Sequence, residues 1–267
     1  MNRSFRHVLL ASSVLTPLLA GCGSSPQPGD AVAVTRSAVQ NGTTDTADTH
    51  VVGIAMLSGG GFGACSGTLI APNVVLTAHH CVAPVSSGYV VCGQSPCGTP
   101  YKPSAFYVTT KTSLSYTPSD YHGVVDVRVP DTGNDTCGYD VALLILKDVI
   151  DPSEATPINP RIDVPPTQGE TYAAVGYGQT CEAQTQACQQ SAGTRRREDG
   201  LTEQCTGSEC IYGDLTDTEW MGEKDICSGD SGGPALDDKG RVFGVTSRGG
   251  TDQQGNCLYP VYSRVDS

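Results

Sequence analysis

At 267 residues the chain is long enough for one large all-β unit or two small domains, and its 32 glycines and 17 prolines point to many turns. A formal net charge of −12 repels polyanions, which argues against nucleic acid as a partner and mildly favours cationic substrates. Twelve cysteines exceed what a reducing compartment sustains and predict a disulfide-stapled fold in an oxidising one.

The chain opens on a basic stretch, MNRSFRH, followed by an apolar run of 13, VLLASSVLTPLLA, too short to span a bilayer comfortably. This is the layout of a secretory signal over residues 1–21. It ends LAGC, and Cys22 in that setting resembles the lipobox cysteine of bacterial lipoproteins, which is lipidated and becomes the new N-terminus. The alternative is an ordinary signal cleaved nearby. On the lipobox reading the membrane is a partner only through a lipid on Cys22, and the protein is exported, then anchored in the cell envelope or released after processing. Eleven cysteines then remain, an odd number that implies one free thiol or an intermolecular bond.

Residues 23 to 50 are rich in Gly, Ser, Thr, Asp and Pro and read as a tether or pro-segment. From Val51 the texture changes to short β-type runs between turn clusters: VVGIAML, SGTLI, NVVLTA, GYVVC, VVDVRV, DVALLIL, TYAAVGYG, RVFGVTS and LYPVYSRV. No window carries a 3.6-residue apolar stripe over three turns, so the pattern predicts an all-β barrel or sandwich. There is no sequence repeat. RRRED at 195–199 is the conspicuous charge cluster and reads as an exposed loop. No HExxH metal pattern and no phosphate-binding glycine loop occurs, so no cofactor is expected.

The chemistry begins at KDICSGDSGGPAL, residues 224–236, where Ser231 stands among Gly229, Gly232 and Gly233. A serine hydroxyl needs a base within reach, an orienting group for that base, and N–H donors aimed at the developing oxyanion. Glycines let the backbone reach conformations that supply those donors. Of the five histidines, His7 lies in the signal, His50 follows the tether and His122 in SDYHG reads as a loop residue, whereas His79 and His80 in LTAHHC follow a β-type run and precede Cys81. Cys65 lies sixteen residues before Cys81, and a bond between them would clamp the turn that carries the base. Asp140 heads the apolar run of DVALLIL and is the candidate orienting carboxylate; the bland reading is a strand cap.

CSGTLIAPNVVLTAHHC, DVALLIL and CSGDSGGPAL, in this order, resemble the trypsin-like (chymotrypsin-fold) serine proteases. The resemblance covers roughly residues 39 to 265. It implies two Greek-key six-stranded antiparallel β-barrels, 39–155 and 156–267, with the active site in the cleft between them and a tether at 22–38. It implies Ser231 as nucleophile, His80 as general base and then acid, and Asp140 as the group that holds the imidazole. The base is His80 because the family's histidine directly precedes the cysteine; His79 replaces a small residue. The oxyanion hole falls on Gly229 and Ser231. Asp225 falls at the base of the specificity pocket, implying cleavage after Arg or Lys, unless it is a loop acid without substrate contact. Ser247, Arg248 and Gly249 align with the strand that pairs with substrate backbone, and Cys227 with Cys257 as a disulfide.

Asp230 aligns with the acid that pairs with a new α-amino group after proteolytic activation. In AVQNGT that group belongs to Val39, or to Ala38 if the register slips by one, which implies a zymogen and an activating protease. Close cysteine pairs 92/97, 181/188 and 205/210 read as small loops, with Cys137 left over. RRR at 195–197 is a candidate self-cleavage site. Two departures bear on specificity: Arg248 stands where an aromatic residue is usual and brings a positive charge to the pocket mouth, and Pro260 stands where a pocket glycine is common. The chain stops at YSRVDS, where the family continues into a C-terminal helix that this chain is expected to lack. The substrates implied are proteins or peptides. The alternatives are a protease of small or apolar specificity and a catalytically silent homologue that binds a partner in the same cleft.

Overall fold

The computed structural model describes residues 39–58, 61–85, 90–183, 185–211 and 214–267. Cys22, the signal and the tether lie outside the described residues.

The first barrel is built from β2 (Val51–Ser58), β3 (Gly61–Ala71), β4 (Val74–Thr77), β5 (Phe106–Thr109), β6 (His122–Arg128) and β7 (Ala142–Leu146). They close in the order β2-β3-β4-β7-β6-β5, all antiparallel. The second barrel uses β8 (Thr171–Gly176), β9 (Arg196–Thr206), β10 (Glu219–Gly222), β11 (Pro234–Leu236), β12 (Val242–Thr251) and β13 (Cys257–Arg264). Its ring, β8-β9-β10-β13-β12-β11, repeats the first strand for strand. The jump from the third strand to the sixth is the Greek-key connection in both. The topology is thus duplicated although the sequence shows no repeat. A two-residue strand, β1 (Thr43–Thr44), adds to the edge of β9.

Period-two alternation places the cores. In β7, Ala142, Leu144 and Leu146 point inward and the residues between them are only half-buried. They pack with Val52, Ile54, Leu69, Val75 and Phe106 in the first core. The second core centres on Trp220, stacked between Phe243 at 5.0 Å and Tyr262 at 4.1 Å. Each fully buried aliphatic or Phe side chain contributes about 1.5–3 kcal/mol. Val39 is fully buried in this second cluster, so the first described residue is anchored in the core rather than trailing from it.

The structure corrects four expectations. Within GYVVC, residues Val90–Cys92 form no strand, and Val91 is exposed. RRRED is no exposed loop. Arg195 is buried, its Nε–H donating to Asp45 Oδ2 at 3.0 Å and its Nη1 to the Val51 and Thr110 carbonyls. Arg196 and Arg197 are half-buried at the start of β9, so the candidate self-cleavage site lies on a paired strand rather than in a loop. Cys92 bonds to Cys137, not to Cys97. The bridge Pro96↔Asp135 lays residues 95–97 beside 134–136, which turns the Cys97 thiol into the interior and leaves Cys92 facing Cys137. The other bonds are Cys65–Cys81, Cys181–Cys188, Cys205–Cys210 and Cys227–Cys257. Cys97 is the free thiol among the described residues, and burial pushes it up to about 11. Finally, His122, read as a loop residue, opens β6, with Nε2 2.9 Å from Glu154.

Candidate active site

β4 ends at Thr77, and the chain turns through Ala78 into the single helical turn α1 (His79–Val82). The Cys65–Cys81 bond ties α1 back to β3. Opposite it, the kinked turn α2 (Thr136–Tyr139) delivers Asp140 just ahead of β7. Asp140 is fully buried and takes three hydrogen bonds. His80 N–H donates to Oδ1 at 2.8 Å, and the His80 ring at Nδ1 and the Ser247 hydroxyl reach Oδ2 at 2.7 Å and 2.6 Å.

A carboxylate only accepts, so the His80 proton sits on Nδ1 and Nε2 is left as the base. Burial by itself would push His80 down, but the Asp140 charge and hydrogen bond outweigh it and hold the imidazole above its ordinary value. Burial likewise works to raise Asp140, and the His80 charge with the donors from His80 and Ser247 holds it below the usual carboxylate range. Ser247 lies on β12, and Ser263 on β13 donates its hydroxyl to the Asp140 carbonyl at 3.2 Å. The acid of the first barrel is therefore seated by the second.

Ser231 sits in the turn before β11. Ser66 of β3 holds that turn, its N–H donating to the Ser231 carbonyl at 2.8 Å and its hydroxyl to the Gly229 carbonyl at 2.9 Å. Gly229 has φ +97°, and a Cβ there would lie 2.8 Å from the Gly178 backbone, so only glycine fits. The N–H groups of Gly229 and Ser231 donate no hydrogen bond among the described residues, which leaves two unspent donors beside the hydroxyl. Cys81 Sγ lies 3.5 Å from the Ser231 carbonyl and 3.9 Å from His80 Nε2, so the Cys65–Cys81 bond stands where the two residues meet. No hydrogen bond joins Ser231 Oγ to His80 Nε2 among the described residues. Such contacts are commonly loose before substrate binds.

Asp230, buried behind Ser231, accepts N–H bonds from Gly178 at 2.8 Å and Cys227 at 3.0 Å, and one from Val39. Arg196 lies within Coulombic reach but makes no hydrogen bond or ion pair with it among the described residues, and burial pushes Asp230 up to about 7.

A cavity of about 260 Å³ opens beside Ser231 between Ile226–Ser228 and Thr246–Thr251. Ser247, Arg248 and Gly249 line it, with the Cys227–Cys257 bond at its edge. Asp225 does not line it. That residue has φ +72°, its Oδ1 accepts from Asn41 Nδ2 at 2.8 Å, and its Oδ2 lies 3.4 Å from Lys224 Nζ. Burial, followed by the Asp225 charge, raises the neighbouring Glu198 to about 8.

The carboxylate in the cavity wall is Glu182, which accepts the Ser228 N–H. The sequence reading missed it. CEAQTQAC reads as a small disulfide loop, but nothing local tells which way its acid faces. Arg248 is not a free cation at the mouth: its guanidinium forks onto the buried Glu219. A larger, mostly apolar cavity of about 350 Å³, between Ile70, Val141, Ile162 and Val265, is lined by none of His80, Asp140 and Ser231. Two groups of potential metal ligands occur among the described residues, Cys65–His80–Cys81 and Glu182–Cys227–Cys257. In both the sulfurs are joined to each other, so neither offers a thiolate.

A family model described as Trypsin matches residues 39–267. A curated protein named "Trypsin", from Saccharopolyspora erythraea, is 30% identical over 230 residues, 81% of this chain and 88% of that protein. Among solved structures, the scabies mite inactivated protease paralogue S-I1 superposes with a TM-score of 0.61 at 22% identity. That match covers 87% of this chain and 93% of the other, a likeness of fold. Because the family match runs from Val39 through both barrels and the cleft they share, the chain belongs to the trypsin family, as a serine-type endopeptidase that acts on proteins or peptides.

Proposed function

We propose that the protein hydrolyses peptide bonds through an acyl-enzyme on Ser231, with His80 as base and then acid, Asp140 as its orienting partner, and the N–H groups of Gly229 and Ser231 as oxyanion donors. The observation that carries this reading is the His80–Asp140 pair, in the right tautomer, facing a serine turn with two unspent N–H donors. Labelling by a serine-directed fluorophosphonate tests it. Rapid labelling lost in Ser231→Ala is expected, and labelling that survives that change would sink the assignment. Absence of labelling in correctly processed protein would move the chain to a silent binding homologue.

We carry the Arg/Lys preference forward on Glu182, the carboxylate lining the cavity, rather than on Asp225. A charge-assisted contact to substrate is worth about 1.5–3 kcal/mol. Glu182→Gln is therefore expected to lower kcat/KM for cleavage after Arg or Lys by about 10- to 100-fold, and Asp225→Asn by less than about threefold. A peptide panel varying only the residue before the scissile bond checks both. Preference for small or apolar residues is the second reading, favoured because Asp225 is already engaged by Asn41 and Lys224. It wins if the panel shows fast cleavage after those residues and none after Arg or Lys.

Five disulfides in a trypsin-like fold suit an extracellular or secreted protein. We propose a precursor with a lipoprotein-type signal at 1–21 and a tether at 22–38, lipid-anchored through Cys22, from which cleavage before Val39 by an activating protease releases the two barrels, 39–155 and 156–267. N-terminal sequencing of active enzyme is expected to read Val-Gln-Asn-Gly; active enzyme that begins at Cys22 would overturn the proposal.

A further inference from the structure

His79, beside the proposed base, is almost entirely buried, at 2% exposed. Its Nδ1 lies 3.3 Å from the carbonyl oxygen of Tyr139. A carbonyl only accepts, so Nδ1 carries the proton and the ring is held in one neutral tautomer. Nε2 is buried with no partner.

The carbonyl it holds belongs to the peptide unit that joins Tyr139 to Asp140. The main chain there follows no regular ladder: Gly138 has φ +87° and Asp140 has φ −88° and ψ 58°. α1 therefore grips the Asp140 segment at two points one residue apart. His80 N–H takes the carboxylate at Oδ1, and the His79 ring takes the peptide before it.

We infer that His79 is a positioning residue for the proposed reaction, fixing the Tyr139–Asp140 peptide so that the Asp140 carboxylate stays aligned with the His80 ring, and that it does so only in its neutral form. A proton on Nε2 would create a buried donor without an acceptor. Three groups face the ring: the Tyr139 carbonyl, the Asp140 carboxylate and the His80 imidazole, itself a cation when protonated. Burial holds His79 below its ordinary 6.5, against the pull of Tyr139 and Asp140. As pH falls below 6.5 the unfolded chain takes up a proton that the folded one refuses, so the contribution of this grip is complete above that pH and is lost below it.

The inference rests on the His80–Asp140–Ser231 reading, and the test separates the two. His79→Asn sets an amide nitrogen where Nδ1 stands and cannot titrate. His79→Gln sets its amide at the other end of the ring, and His79→Ala removes the donor. Rates are taken per site titrated with fluorophosphonate, so that misfolded protein does not count. Displacement of a catalytic group by about 1 Å costs on the order of 100-fold. The expected result is a fall in kcat of about 10- to 100-fold for His79→Ala and His79→Gln, with KM within about twofold, and His79→Asn within about threefold of wild type. Wild type is also expected to lose activity with a one-proton slope that begins above pH 6.5, as His80 takes its proton, and to steepen to a two-proton slope only well below 6.5, where His79 is forced to accept one, whereas His79→Asn keeps the one-proton slope throughout. Equal kcat in all three variants, with only thermal stability lowered, would overturn the inference and make His79 a structural filler. Wild-type rates in Ser231→Ala would instead overturn the reading beneath it.

Discussion

Ser231→Ala is expected to lower kcat by about 10⁶-fold and Asp140→Asn by about 10⁴-fold, the sizes seen when nucleophile or orienting acid is removed from a serine–histidine–aspartate unit. The two losses have different causes. Without the hydroxyl there is nothing to acylate. With Asn at 140 the hydroxyl remains, but an amide nitrogen can face His80 Nδ1, which then becomes the unprotonated nitrogen and leaves Nε2 protonated and useless as a base. Because the residues act as one unit, the double variant should be no slower than Ser231→Ala alone. Single-turnover kinetics on processed protein check this. A double variant slower by the product of the two factors would mean that Asp140 acts on some step outside the His80–Ser231 couple.

The second large effect is expected at the N-terminus. In the described chain Asp230 receives only N–H donors and stands near 7, well above its ordinary 3.8. An acid whose folded value is raised is favoured folded while protonated. The unfolded chain ionises first, and stability falls as pH rises from about 4 toward 7. Cleavage before Val39 would convert the amide already aimed at Asp230 into an ammonium group. The pair would then favour ionised Asp230, so the loss of stability between pH 4 and 7 should disappear, and the contribution of the pair should be lost only as pH falls below about 4. Leaving a buried charge without its partner costs about 3–5 kcal/mol. The precursor should therefore react with fluorophosphonate about 10²- to 10⁴-fold more slowly than protein beginning at Val39. Melting curves at pH 4 and 7 for both forms, with labelling rates at pH 7, provide the measurement. Equal labelling rates would remove Asp230 from any activation role.

What the sequence made legible was what lies within a few residues of a motif. GDSGGP, AHHC and DVALLIL are short local motifs, and their order along the chain carries the family resemblance that implies a base, an acid and a nucleophile between two barrels. The duplicated barrel came with the resemblance, but the residue pattern did not mark β9 and β10, which are polar or short and lack the alternation of a strand. The seat of Arg195 depends on Asp45, 150 residues away, and so its burial has no local signature. The bond Cys92–Cys137 spans 45 residues and competes with a nearer partner, Cys97, that sequence distance would prefer. At Asp225 the alignment identified the residue but not its direction. A φ of +72° turns the side chain toward Asn41 and Lys224 and leaves the cavity wall to Glu182.

Asp140 belongs to the first barrel by chain and to the second by its contacts with Ser247 and Ser263. The halves are thus not interchangeable parts. A chimera that takes its second barrel from another member of the family inherits a working acid only if hydroxyls arrive at both positions. Change in either barrel is consequently felt by the other through Asp140, as it is through the Ser66 contacts to the Ser231 turn, although the two share a topology without a sequence repeat.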